Sequence, residues 1–181
     1  MKKHFKAIAV MVSIMLICGG LLAILSDLLY VSDQERIQRA IDKIYVDQVS
    51  LEKTLDVTTV DTQSFKDVGE IKSCYALDNG DYLVLSTGKN GYSNGTVTLY
   101  VSIAVTDGNV TVKNTVQDSY TGQTLMSKLT SLYQRFTGKT ADQERLEVTE
   151  IVTGATYSSR AASNAVYCAL QFVKILEGGA L

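Results

Sequence analysis

The sequence predicts an α+β fold, a mostly antiparallel sheet with packed helices, preceded by one N-terminal transmembrane helix. Three observations lead there. Residues 7–25 carry no charged side chain, residues 71–116 alternate apolar and polar around two turn signals, and the segment after Thr156 carries an apolar stripe at helical spacing.

The N-terminal segment comes first. At about 1.5 Å rise per residue, residues 7–25 would extend roughly 28 Å as a helix, enough to span a bilayer. Lys2, Lys3 and Lys6 precede the run, and Asp27, Asp33 and Glu35 follow it. The expected topology is therefore a cytoplasmic residue 1–6 segment, a single pass over 7–25, a connecting helix over 26–45, and an extracytoplasmic domain over 46–181 at the cytoplasmic membrane. A cleaved signal peptide shares the basic start and apolar middle, but no small-x-small cleavage site follows Leu25. Cys18 follows Leu16-Ile17, which lacks the small residue that lipoprotein processing favours.

Further along, Ser32 and Glu35 have capping-box spacing, and Ile37, Ala40, Ile41 and Ile44 recur at helical intervals, predicting a helix over 33–45. Alternation near Val57 to Val60 suggests a short strand. From Ile71 the chain alternates into Asp78-Asn79-Gly80 and then Tyr82-Leu83-Val84-Leu85, which predicts a hairpin. A second hairpin is expected from Val97–Val105 and Val110–Val116 around Asp107-Gly108. Leu125, Leu129, Leu132, Tyr133 and Phe136 mark one face of a helix ending near Gly138, and a strand is predicted from Leu146 to Val152. Ala162, Ala165, Val166, Ala169, Val173 and Leu176 form the stripe of the last helix, which should dock on the sheet.

Composition excludes several functions. The whole chain carries a net charge of -2, and residues 26–181 hold 14 Lys and Arg against 19 Asp and Glu, a balance that disfavours nucleic acid. The only histidine is His4, so neither a Ser-His-Asp nor a Cys-His mechanism can be assembled in the main domain, and no catalytic residue is assigned. No Cys-x-x-Cys word or His/Cys cluster suggests a metal site. Cys74 and Cys168 would either pair in an oxidising compartment or remain two buried thiols. There is no proline, so linkers are short.

Chemistry concentrates in one string, Glu150-Ile151-Val152-Thr153-Gly154-Ala155-Thr156-Tyr157-Ser158-Ser159-Arg160. It places four hydroxyls and a glycine just before an amphipathic helix, whose first turn presents unpaired N–H groups and the positive end of the macrodipole. A phosphate carried by Thr156 or Ser158 would be stabilised there. The plainer reading is an ordinary capped helix start.

The longer pattern, Thr153-Gly154-Ala155-Thr156 with Ser159-Arg160-Ala161 and Asn164-Ala165-Val166, resembles the flavinylation site of the FMN-binding domain family. Members of that family include the G subunit of Rnf electron-transport complexes and the C subunit of the sodium-translocating NADH:quinone oxidoreductase. The resemblance implies covalent FMN, attached to Thr156 through a phosphoester by a flavin transferase that uses FAD. It implies that Thr153 and Ser159 bond the phosphate, that Gly154 allows close approach, that Ala155 and Ser158 belong to the cofactor-binding stretch, and that the helix beginning near Ser158 offsets the charge. Gly91-Tyr92-Ser93-Asn94-Gly95 looks like the family's Gly-Tyr-x-Gly turn, and Ser119–Thr124 occupies the place of its Glu-Thr-Pro-Gly-Leu-Gly loop, keeping only Gly122 in register. Phe136-Thr137-Gly138-Lys139 resembles a Phe-x-Gly-Lys word that would bring Lys139 near the phosphate, and Glu150 stands where the family has an Asp read by the transferase.

Attachment through the phosphate leaves the flavin ring unmodified for redox chemistry. The implied function is a membrane-anchored electron-transfer flavoprotein, a subunit of an oxidoreductase complex rather than a stand-alone catalyst. Its implied partners are other membrane redox subunits of an Rnf-type complex, or an extracytoplasmic electron partner. The alternative is a membrane-tethered binding or scaffold module that kept the fold and lost the flavin.

Overall fold

A computed structural model describes residues 2–29, 31–46, 48–142 and 151–178 of the chain. It divides into two compact units, Met1–Ile37 and Gln38–Leu181. The first holds helix α1 (Lys2–Leu29) and the start of α2 (Asp33–Ile44). Ser32 Oγ accepts a hydrogen bond from Glu35 N at 3.2 Å, so the predicted cap forms.

One expectation is corrected here. Among the described residues, no helix is long and apolar enough to cross a membrane, which overturns the transmembrane helix placed over 7–25. Helix α1 carries Lys2, Lys3, Lys6 and Asp27 within its own length, so its apolar stretch is shorter than the helix.

The second unit is built on a five-stranded antiparallel meander in the order β1 (Leu51–Leu55), β2 (Gly69–Leu77), β3 (Tyr82–Gly88), β4 (Thr96–Thr106) and β5 (Asn109–Thr121). Both predicted hairpins form. In the first, Leu77 N donates to Asp81 O at 2.9 Å and Gly80 takes φ +82, closing a three-residue loop. In the second, Asp107 (φ +51) and Gly108 (φ +78) make the two-residue turn that suits twisted strands.

One predicted strand does not form. At Val57–Thr59 the chain makes a 3₁₀ turn, because the Asp56 carboxylate accepts from Thr58 N at 2.9 Å and Thr58 Oγ1 at 2.7 Å. A local side-chain bond outcompetes a ladder there. Most of the strand predicted over 146–152 lies outside the described residues, and Ile151 and Val152 are not in a strand. Thr140 bridges Thr111 at the outer side of β5. The predicted 125–136 helix divides into a 3₁₀ turn, Met126–Leu129, and α3 (Thr130–Arg135), with Leu129, Leu132 and Phe136 fully buried and Gly138 (φ +83) ending it.

Helix α4 (Thr156–Gly178) packs across β2, β3 and β4. Its small residues Ala161, Ala162, Ala165 and Ala169 face Val84, Val97, Leu99, Val101 and Ile103 in one buried cluster. The approach is close enough to exclude any side chain at Gly88, where a Cβ would lie 1.9 Å from Ala161 O and 2.4 Å from Ala165 N. Gly69 is similarly pressed, against Thr87 O and Cys168 Sγ. Polar bonds fix the helix register: Ser86 Oγ donates to Ala165 O at 2.8 Å, and buried Asn164 Nδ2 donates to Lys89 O at 2.8 Å. Cys74 and Cys168 are buried and form no disulfide.

A second polar cluster holds Tyr45 to the sheet. Tyr45 OH donates to Asp81 Oδ2 at 2.7 Å and lies 2.6 Å from Ser102 Oγ, while Asn79 Nδ2 and Lys113 Nζ each reach the same carboxylate oxygen at 2.9 Å. Burial of the Asp81 carboxylate is thereby matched by three donors.

Gly88→Ala is expected to cost about 3 kcal/mol or more, because backbone rather than a movable side chain meets the new methyl group. For a domain of this size that is a fall of roughly 10 °C in Tm, which calorimetry would register; an unchanged Tm would mean the helix does not sit this close.

The titration of buried groups gives a second expectation. The Tyr82 hydroxyl donates to Glu177 Oε1 at 2.5 Å, and that bond, then burial, push its pKa from 10.0 up to about 12. Burial likewise pushes the Cys74 thiol from 9.0 up to about 12, and raises the Tyr45 and Tyr133 hydroxyls. In each case the folded state favours the protonated form. The associated stability is complete below pH 9 and is lost as pH rises towards 12. The urea midpoint should therefore fall across that window, and Tyr82→Phe should make the decline shallower.

Candidate cofactor site

The start of α4 is shaped by one serine. Ser159 Oγ donates to Ala155 O at 2.9 Å and accepts from Val152 N at 3.1 Å, while Ser159 N donates to the same Ala155 carbonyl at 2.8 Å. Ala155 N in turn bonds Val152 O at 2.9 Å, and Gly154 takes φ +80, a left-handed conformation that favours glycine. Ala155 thus closes the turn and accepts the first helical bond. The N–H groups of Thr156, Tyr157 and Ser158 find no backbone acceptor among the described residues.

Thr156 opens the helix with its side chain exposed, as are Thr153, Gly154 and Tyr157. The Thr156 hydroxyl makes no hydrogen bond to a described residue. Ser158 and Ser159 are buried. The Ser159 hydroxyl, expected at the phosphate, is committed to the 152–155 turn, and Ser158 Oγ donates inward to Gln123 Oε1 at 2.7 Å.

A cleft of about 420 Å³ lies against this helix start. Residues 154–158 form one wall, and Tyr92, Thr124 and Leu125 form the other. Tyr92 sits in a tight turn in which Gly91 N donates to Gly95 O at 2.9 Å and Gly95 N to Tyr92 O at 2.8 Å. Gly122 (φ +64) abuts that turn, 3.1 Å from Tyr92 O measured from a would-be Cβ. Across the cleft mouth the Tyr92 and Tyr157 rings meet edge to face, centroids 6.3 Å apart, each more than half exposed. Arg160 lies 5.7 Å over the Tyr157 ring.

The structure therefore brings together Gly91, Tyr92, Gly122, Thr153, Gly154, Ala155, Thr156, Ser158 and Ser159 from segments far apart in sequence. It does not bring Lys139. Lys139 O accepts from Val112 N at 2.9 Å, and Val112 lies near the opposite end of β5 from Thr121, roughly 30 Å along the strand. Glu150, expected to be read by a transferase, lies outside the described residues.

Two contributors escaped the sequence reading. Lys128 Nζ stands 3.3 Å from where a Cβ on Gly154 would be, which puts an ammonium beside the helix start. In sequence it is one polar position on a helix whose apolar face carried the signal. Gln123 links both walls of the cleft, although its place in the 119–124 loop gave no hint of burial.

The residues present fit a phosphorylated aromatic cofactor. Open N–H groups, a positive helix end and Lys128 suit an anion, and the exposed faces of Tyr92, Tyr157 and Leu125 suit a planar ring. The fold is thus an α+β domain with a cleft that runs up to an open helix N-terminus.

Residues 91–171 match the family model described as the FMN-binding domain. The match begins at the Gly91 turn and runs into α4, so it contains both walls of the cleft. It is the family of the Rnf G and sodium-translocating oxidoreductase C subunits that the Thr153–Thr156 word resembles. No match was found among curated proteins or among solved structures.

Proposed function

We infer that the protein is an electron-carrying flavoprotein with FMN esterified to Thr156. The observation that carries the reading is the Thr156 side chain itself, exposed at the first residue of α4 on the edge of the cleft. A hydroxyl so placed is open to a second enzyme, whereas Ser158 and Ser159 nearby are turned inward.

Attachment would proceed by Thr156 Oγ forming a bond to the FMN-side phosphorus of FAD while the pyrophosphate P–O bond breaks. AMP leaves, and the hydroxyl proton passes to the flavin transferase. The first-turn N–H groups and Lys128 would then hold the phosphodiester, with Thr153 at its edge, while Tyr92, Leu125 and Tyr157 would line the ring. Bound FMN supplies reversible one- and two-electron transfer, and no residue of the chain is required as a general base. An Rnf-type complex, or a related carrier with an external electron partner, is the setting this supports.

Co-expression with a flavin transferase followed by ultraviolet illumination of a denaturing gel tests the attachment. Wild type should give a fluorescent band, Thr156→Ala a dark one. Lys128→Gln should slow labelling by about fivefold, the equivalent of ~1 kcal/mol for an exposed charge beside a phosphate. A dark wild-type band would remove the covalent reading and favour a scaffold of the same fold.

A further inference from the structure

Gln123 is only 7 % exposed, yet its amide makes three hydrogen bonds to three different segments. Oε1 accepts from Tyr92 N at 3.2 Å and from Ser158 Oγ at 2.7 Å, and Nε2 donates to Thr121 O at 3.2 Å. The slot is cut for it by glycines: a Cβ at Gly91 or Gly95 would lie 2.0 or 2.5 Å from Nε2. One planar amide therefore ties the Tyr92 turn and the end of β5 to the first turn of α4. A residue needed only to fill this volume would be apolar, and an apolar one would leave Ser158 Oγ, Tyr92 N and Thr121 O without these bonds.

The bonds fall beside the two rings that flank the cleft. Tyr92 is held through its own backbone N–H, and Tyr157 is the immediate neighbour of Ser158. We propose that Gln123 is a positioning residue for the flavin, fixing Tyr92 relative to Tyr157 and Thr156 and so setting where the isoalloxazine ring lies in the cleft. The proposal rests on the FMN–Thr156 reading. Removing the amide frees the Tyr92 turn from the helix start while leaving the Thr156 hydroxyl exposed, so attachment and ring placement separate.

The test compares wild type, Gln123→Leu, Ser158→Ala and the double variant, each co-expressed with the flavin transferase. Three properties are measured: in-gel fluorescence, visible-region circular dichroism of the attached flavin, and its quenching by iodide. Gln123→Leu should keep the fluorescent band, lose most of the flavin dichroism and be quenched several-fold more steeply. Ser158→Ala, which removes one of the three bonds, should fall between. The double variant should match Gln123→Leu, since both act through the same bond. Dichroism and quenching identical to wild type in Gln123→Leu would overturn the proposal. If that variant does not fold, wild-type values in Ser158→Ala would overturn it equally. A dark wild-type band would instead overturn the FMN–Thr156 reading on which it stands.

Discussion

The contact on which the site depends is the approach of α4 to the sheet at Gly88. Because a Cβ there would fall within 1.9 Å of the Ala161 carbonyl, the helix backbone rests almost directly on strand β3. Ser86 Oγ and Asn164 Nδ2 then lock its register through Ala165 O and Lys89 O. With axis and register set, the position of Thr156, about one and a half turns before Ala161, is no longer adjustable. A rigid element places the Thr156 hydroxyl, and no loop has to find it.

The sheet topology explains why the other wall is available. In an antiparallel meander, the segment entering β4 and the segment leaving β5 emerge at one end, as the Thr96–Thr121 pairing and the two hydrogen bonds between these residues show. The Gly91 turn precedes that pair and Gln123 follows it. Gly88 pairs with Val97 one step away, so the α4 contact is made at the same sheet end. The cleft therefore needs no long-range coincidence: three consecutive strand ends and one docked helix meet there.

How much of this the sequence disclosed follows from which signals are local. The hairpins were legible because Gly80 and Gly108 announce positive φ, and α4 because its apolar stripe runs unbroken from Ala162 to Val173. The Thr153–Thr156 word located the helix start and its exposed hydroxyl. Strand β1 was missed because it is an edge strand with Glu52, Lys53 and Thr54 exposed, leaving no alternation to read. At Val57–Val60 the alternation was present, but the Asp56–Thr58 bonds took the backbone first. Lys139 followed a family word, yet strand length carries it away from the cleft. Gln123 and Lys128 were illegible for a different reason. Their importance comes from contacts across 35 and 26 residues of chain, with Ser158 and Gly154, and nothing nearby in sequence encodes such contacts.

The shape of the cleft bears on why a covalent bond would be useful. Tyr92 is 55 % exposed and Tyr157 52 %, so the faces that would line a ring also face water. Burial of a ligand's apolar surface is a main source of affinity in enclosed pockets, and an open cleft provides little of it. On the proposed reading, the Thr156 ester replaces that missing affinity with a fixed local concentration, and the protein groups are left to orient the ring rather than to retain it. Openness then becomes compatible with function, since an electron partner can approach a ring that is tethered by its phosphate end. Lys128 and Arg160 supply local positive charge in a domain whose net charge is negative, which on the proposed reading favours an anionic nucleotide beside the Thr156 hydroxyl.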